Sequence, residues 1–479
     1  MIWTALCLGV FLFGLKGEMR GHMSGVAMLF VSTVLVYTYF HNVFSPSSGP
    51  ATKMFTFGFA FFIGLPGAAQ VLTGKFYWGA ASYSDAEYWI AFLIFSTFVG
   101  VFFAVSSPID RRLRRLVSLG PRRTLASPTV QLHQLRVFIF FSIACAFSAA
   151  LILSYLYFQV GPASIFGTRY TSMVAFETSG SLNTTVMGLT KSLGRQLALL
   201  GFGGAIIVWL ISRSSNRHFH SVAFLLVAGS IALLANYPSS TPRTHIFAML
   251  LLAGFVVEIQ RVSPLRWFYL VFPAAFYSIA PLMRNFNRGS NINFDVAIPS
   301  FAEVITHGDL DAYQQLLNAV QFTGETGHKL GIQNFSAIFF FIPRSIWPHK
   351  AEPSGQIVAE HMGYIYTNLS MPMPAEAWID FGLFGVILFA VMLALAVKLL
   401  EHAERARRST ISLFLTLSLV ATAAYAPIML RGSAMAAASN VAVAVMLPLV
   451  VSLALKLTAS RGDRNSATVP SVRRVQIHK

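Results

Sequence analysis

The chain has 479 residues, of which 55% are hydrophobic and only 11% charged, with a mean hydropathy of +0.63. A soluble domain carries about 25% charged residues, so this composition excludes an ordinary soluble enzyme and predicts an all-α, polytopic membrane protein forming a single membrane domain over residues 1–479. The net charge of +17 comes without base-stacking aromatics between the cations of "DRRLRRLVSLGPRRT", which excludes nucleic acid as a partner; Cys7 and Cys145, far apart in apolar runs, exclude a disulfide framework and a cysteine metal cluster.

Twelve apolar segments are predicted to span, in chain order 2–15, 23–41, 54–72, 87–106, 137–158, 196–212, 221–236, 246–259, 267–282, 379–398, 410–430 and 434–456. The first, "MIWTALCLGVFLFGL", lacks a basic leading region and a clear small-residue cleavage site, so it reads as a retained helix. "GFGGA", 201–205, lies inside a span and predicts close helix packing. Lys and Arg gather in alternate connections. Segment 107–136 holds Arg111, Arg112, Arg114, Arg115, Arg122, Arg123 and Arg136; segments 213–220 and 261–266 hold two Arg each; segment 398–408 holds Lys398, Arg405, Arg407 and Arg408. A basic tail, 457–479, follows Lys456. The positive-inside rule makes this side cytoplasmic and places both termini there; Lys16 and Arg20 fall on the other side and are outweighed. The basic runs then serve as topology signals and as contacts to anionic lipid headgroups.

Three connections face outward. Segment 159–195 contains "FGTRYTSM" and segment 237–245 is "YPSSTPRTH". The third, 283–378 between spans nine and ten, is far longer than an ordinary loop, and long loops are commonly functional. It carries eight of the chain's 18 acids: Asp295, Glu303, Asp309, Asp311, Glu325, Glu352, Glu360 and Glu376. In "DLDAYQQLLNAV", Leu310, Tyr313, Leu317 and Val320 fall on one helical face and Asp309 can cap the start. Such a helix would lie on the membrane surface or against the span ends. "NFSAIFFFIP", 334–343, is too short to cross and is expected to dip in and return, stopped by Pro343. A polar knot, "FIPRSIWPHKAEPSG", then emerges at the interface, with a second short helix over 354–364.

The outward cations are Arg169, Arg243, Arg284, Arg288, Arg344, Lys350 and Arg431. A guanidinium fork suits phosphate oxygens, although any one Arg could simply snorkel to the headgroups. Arg243 and Arg344 stand out at proline-bracketed turns beside His245 and His349, and Arg284 and Arg288 are one helical turn apart. For acid–base work there are His349, Glu352, Glu376 and Asp380. Glu376 and Asp380 are four residues apart at the start of a span, on one helix face; carboxylates there are functional candidates, or acids favoured by the helix dipole. Nearby cations would depress the basicity of His349 and suit it to donate to phosphate. "DLD", 309–311, resembles a metal-binding D-x-D, with a helix-cap cluster as the plainer reading. H-E-x-x-H, G-x-x-x-x-G-K-[ST] and G-x-S-x-G do not occur, and neither metal nor cofactor is predicted.

About a dozen spans, an Arg at the outer start of a middle span ("STPRTHIFAML") and a large late external loop resemble the bacterial Wzy-type O-antigen polymerases. "FIPRSIWPHKAEPSG" is similar to the P-R-x-x-W-P-x-K-x motif of one branch, and "AEAWIDFGLFGVI" to the E-x-x-x-x-x-G-x-x-G stretch that follows it. Where that branch often has Pro after the Lys, Ala351 stands here and Pro comes at 353. The resemblance implies a GT-C-like, metal-independent glycosyltransferase of the inner membrane, active on its periplasmic side in lipopolysaccharide synthesis. It would polymerise repeat units carried on undecaprenyl diphosphate, beside a flippase and a chain-length regulator. In that mechanism Arg243, Arg284, Arg288, Arg344 and Lys350 hold the donor diphosphate and stabilise its growing charge. Glu376 or His349 takes the proton, and Trp347, Tyr170 and Arg169 meet sugar. An O-antigen ligase uses a similar donor and loop. A transporter or flippase for lipid-linked sugar would instead carry polar groups at the midplane.

Overall fold

The structure, a computed structural model, describes all residues except 16–20, 46, 80–81, 117–131, 179–183, 214–217, 261–264, 283–300, 343, 345, 406–410 and 456–479. Among the described residues every regular element is a helix. They run α1 (Ile2–Gly14), α2 (Ser24–Phe44), α3 (Pro50–Phe57), α4 (Leu65–Thr73), α5 (Asp85–Leu116), α6 (Leu132–Val160), α7 (Ala163–Phe166), α8 (Arg169–Thr178), α9 (Thr184–Ser212) and α10 (His218–Ala235). Then come α11 (Arg243–Gln260), α12 (Arg266–Leu282), α13 (Phe301–Ile305), α14 (Ala312–Thr326), α15 (Ile332–Ile338), α16 (Ser354–His361), α17 (Met373–Arg405), α18 (Ile411–Arg431) and α19 (Ala434–Val441). The chain is thus a multi-pass helical membrane protein: among the described residues nine helices are long and apolar enough to cross a bilayer. The other three expected spans correspond to α1, α11 and α12, of 13, 18 and 17 residues.

Polar contacts sort the helix ends into two sets. At one end Lys53 of α3 pairs with Glu258 of α11 at 2.6 Å, Glu401 of α17 accepts the Thr52 N–H at 2.8 Å, and His402 lies 3.5 Å from Asp110 of α5. At the other end Arg243 of α11 meets Asp309, Arg431 of α18 meets Asp311, and the Gly21 N–H before α2 donates to the Leu72 carbonyl of α4 at 2.7 Å. These are the pairings that an up-and-down passage of the spans requires.

The most enclosed span is α3–α4, joined by a π-helical turn at Gly58–Gly64 and buried throughout. Pro66 cannot donate to the preceding turn, and a wider turn just before it accommodates that loss. Small residues set the close approaches. A Cβ on Gly201 would stand 2.8 Å from that of Ala146 on α6, and one on Gly204 would meet the Ser142 hydroxyl at 2.1 Å. The packing expected of "GFGGA" is therefore present.

Two expectations change. The sixth span starts at Thr184 rather than 196, so Lys191 and Arg195 belong to a helix and not to a connection. The helix after "DLD" begins at Ala312, and Asp309 does not cap it; its own N–H donates instead to His307 Nδ1 at 3.2 Å. Its expected apolar face is buried, with Tyr313 and Leu317 at 0% exposure, but Gln314, Gln315 and Asn318 are buried too. This helix is packed among α4, α5, α16 and α17, so of its two expected placements it takes the one against the span ends.

Candidate functional site

The outer-loop end carries three groups of polar side chains. In the first, Arg243 opens α11 after the proline turn and forks both Nη2 contacts onto Asp309 at 2.7 Å. Arg431, closing α18, donates to the Gly308 carbonyl at 2.9 Å and to Asp311 at 3.1 Å. Asp311 is 1% exposed and also accepts from Trp78 Nε1 and the Ser370 hydroxyl, each at 2.6 Å. Both acids of "DLD" are therefore claimed by arginines from separate helices. Burial pushes the Asp309 carboxyl up, but the His307 contact, Arg243 and Arg431 outweigh it and hold the group well below the usual carboxylate range.

The second group joins α8 and α9. Lys191 and Arg195 are four residues apart on one face of α9. Lys191 donates to the Ser164 carbonyl at 2.7 Å and to the Ser172 hydroxyl at 2.9 Å. Ser172 sits one turn along α8 from Arg169, and Arg169 and Arg195 are both within electrostatic reach of Lys191. None of the three cations forms an ion pair among the described residues, and the buried Nε of Arg195 has no acceptor there. His245, two residues after Arg243, links the two groups: its Nδ1 lies 3.4 Å from the Tyr425 hydroxyl, which donates to Gln196 at 2.6 Å, and Gln196 donates to Asn440 of α19 at 2.6 Å.

The third group is the proline knot, which is closed on itself. Lys350 spends its ammonium on the carbonyls of Phe339, Phe340 and Ile342, at 3.2, 2.7 and 3.0 Å. Arg344 donates to the Lys350 and Ala351 carbonyls and pairs with Glu352 at 2.8 Å. Trp347 packs edge-on against Phe335, their ring centres 5.7 Å apart. Asp380 is fully buried and caps the start of α15 through the Asn334 N–H at 2.9 Å. Glu376, also buried, accepts from the Ser354 hydroxyl and from the Ala434 N–H at the start of α19. His349 is exposed at the tip.

Of the residues chosen from sequence, Arg243 opens α11, Arg431 closes α18 and Arg169 opens α8, with Arg243 and Arg431 on the neighbouring acids Asp309 and Asp311. The structure puts Arg344, Lys350 and Trp347 in the self-contained knot, and leaves the Tyr170 ring exposed on α8. Arg284 and Arg288 lie outside the described residues. Lys191 and Arg195 were missed. Their signal was available, since charges inside an apolar helix are functional candidates by default. Beside Arg243, a narrow apolar cleft is lined by Thr244, Phe247, Phe62, Phe276 and Pro427. No protein-family model, characterised protein or solved structure matches the chain.

Proposed function

We propose that this chain polymerises lipid-linked oligosaccharide repeat units, moving a growing glycan from undecaprenyl diphosphate to the end sugar of a new unit on the periplasmic side of the inner membrane. The observation that carries this reading is the α8–α9 group: Arg169, Lys191 and Arg195 converge with no carboxylate partner among the described residues. Uncompensated cations at a helix end are costly unless an anion joins them, and a carrier's diphosphate is an anion delivered at that depth. Arg243 and Arg431, oriented by Asp309 and Asp311, lie at the same end of the bundle, joined to α9 through His245, Tyr425 and Gln196.

In the reaction the acceptor oxygen bonds to the anomeric carbon as the bond from that carbon to the diphosphate breaks. The cations stabilise the charge that grows on the departing phosphate, as fixed donors do for other developing anions. The hydroxyl proton goes to His349 or to Glu376, and Glu376 must first release the Ser354 hydroxyl or the α19 N–H that its two oxygens hold. Arg284 and Arg288 belong to the same reading. A phosphate role for Arg344 and Lys350 requires the knot to open.

Purified protein in nanodiscs, given a synthetic lipid-linked repeat unit, should make a ladder of products. Lys191→Gln and Arg195→Gln should each slow it about tenfold or more, the scale of one charged hydrogen bond. A single-step product appearing only with a lipid A-core acceptor would mark a ligase instead. No ladder, or full-rate variants, contradicts the proposal.

A further inference from the structure

The segment "GKFYWG", 74–79, joins α4 to α5 on the same outer end, and neither the motif reading nor the mechanism uses it. Its two bounding glycines, Gly74 at φ 66° and Gly79 at φ 64°, adopt the left-handed backbone that side-chain-bearing residues avoid. Between them Tyr77 and Trp78 are set edge to face, ring centres 4.9 Å apart. Trp78 lies nearly parallel to Tyr366, at 8° and 5.9 Å, and tilted to Tyr364 at 6.2 Å. Tyr77 packs on His307 at 4.6 Å. A Cβ on Gly308 would come within 2.5 Å of the Tyr77 ring, so only glycine admits that ring there.

The rings are fixed by polar bonds. Trp78 exchanges backbone hydrogen bonds with the Gln314 amide, at 3.1 and 2.7 Å, and its Nε1–H is held by Asp311. Asn318 donates to the Tyr364 hydroxyl at 3.2 Å and accepts from the Tyr83 hydroxyl at 2.6 Å. Yet Tyr77 remains 38% exposed and Tyr366 45%. A rigid, stepped set of aromatic rings, held from below by the buried Gln314 and Asn318 amides and presenting Tyr77 and Tyr366 at the surface, suits one chemistry. The C–H face of a pyranose is weakly positive and stacks on the negative face of an aromatic ring, while its hydroxyls need donors and acceptors around the rim. The platform is also wired to the cations, through Trp78–Asp311–Arg431 on one flank and Tyr77–His307–Asp309–Arg243 on the other.

We propose that Tyr77, Trp78 and Tyr366 form a pyranose-stacking platform that receives the glycan, separate from Trp347 and Tyr170. It rests on the glycan-transfer reading and names where the sugar chain sits relative to the phosphates. A set of lipid-free tetrasaccharides of glucose, galactose, mannose, rhamnose or N-acetylglucosamine, titrated onto the nanodisc protein with saturation-transfer NMR, tests it. At least one should bind. Tyr77→Ala and Tyr366→Ala should each weaken it about three- to tenfold, the range of one aromatic stacking contact, and Tyr366→Trp should restore it. No sugar bound, or alanine variants that bind as the wild type does, overturns the platform. Sugar-free undecaprenyl diphosphate is the second arm: it should bind these variants normally, so loss of the platform leaves the phosphate reading standing, and loss of diphosphate binding in the wild type removes that reading instead.

Discussion

Asp309 meets Arg243 through a doubled contact, feels the positive charge of Arg431 and lies 3.4 Å from His307. Its carboxyl titrates below the ordinary range, so the stability it contributes is complete at neutral pH and is lost only as the pH falls below ordinary carboxylate values toward its depressed one. Arg243→Gln leaves this partly buried acid without its main partner and should cost about 2 kcal/mol, read as a fall in thermal midpoint. Asp309→Asn added to the same chain should recover most of that loss, because the two changes share one interaction. Full additivity of the two would show the pair to be unimportant. Arg243 was legible from its proline-bracketed turn; its partner was not, because nothing local ties a side chain to one 66 residues away. Lys191 and Arg195 escaped for a different reason. The hydropathy of α9 weakens around its charges, so the span reads as starting after them, while the backbone is already helical from Thr184.

At the scale of elements, the knot and the start of α17 form one assembly. The α17 backbone breaks at Gly382, φ 60° and ψ −146°, just after Asp380 has capped α15. The Lys329 N–H donates to the Ile379 carbonyl at 2.8 Å across the same junction. Lys350 then closes the turn after α15, so Lys350→Met leaves three carbonyls without their donor. That change should destabilise the segment by about 1–3 kcal/mol and speed amide exchange over residues 335–351 at least tenfold while α5 and α6 stay protected. Unchanged exchange would show that the ammonium is not holding the turn. Sequence placed α16 within a few residues and marked the apolar stretch before Pro343 as too short to cross, both from punctuation by proline and length. It could not show that Arg344 and Lys350 point inward at the knot's own carbonyls, since a long cationic side chain reads the same whether it caps a turn or waits for a ligand. It marked only the apolar face of α14, because the burial of Gln314, Gln315 and Asn318 depends on Trp78, Asp311 and Tyr364 in connections outside the helix.

Across the whole molecule, helix ends separated by hundreds of residues are paired into two polar layers around an aromatic, glycine-tightened interior. At one end the buried lysines are paired, Lys53 with Glu258 and Lys398 with Glu401, while Arg111, Arg112, Arg115 and Arg213 stand exposed around them. The other balances Arg243 and Arg431 with the loop acids but leaves Arg169, Lys191 and Arg195 without a counter-charge among the described residues. The partly buried cations of α8 and α9 are the physical basis for the proposed anionic headgroup at this end, and they predict selectivity for phosphate over tail. The decisive measurement is a comparison of undecaprenyl diphosphate with undecaprenol for binding to the nanodisc protein, in the wild type and in a Lys191→Gln/Arg195→Gln variant. The wild type should prefer the diphosphate by about a hundredfold or more, the scale of two charged hydrogen bonds, and the variant should lose most of that preference. Equal binding of the two lipids by the wild type, or an undiminished preference in the variant, would contradict the account.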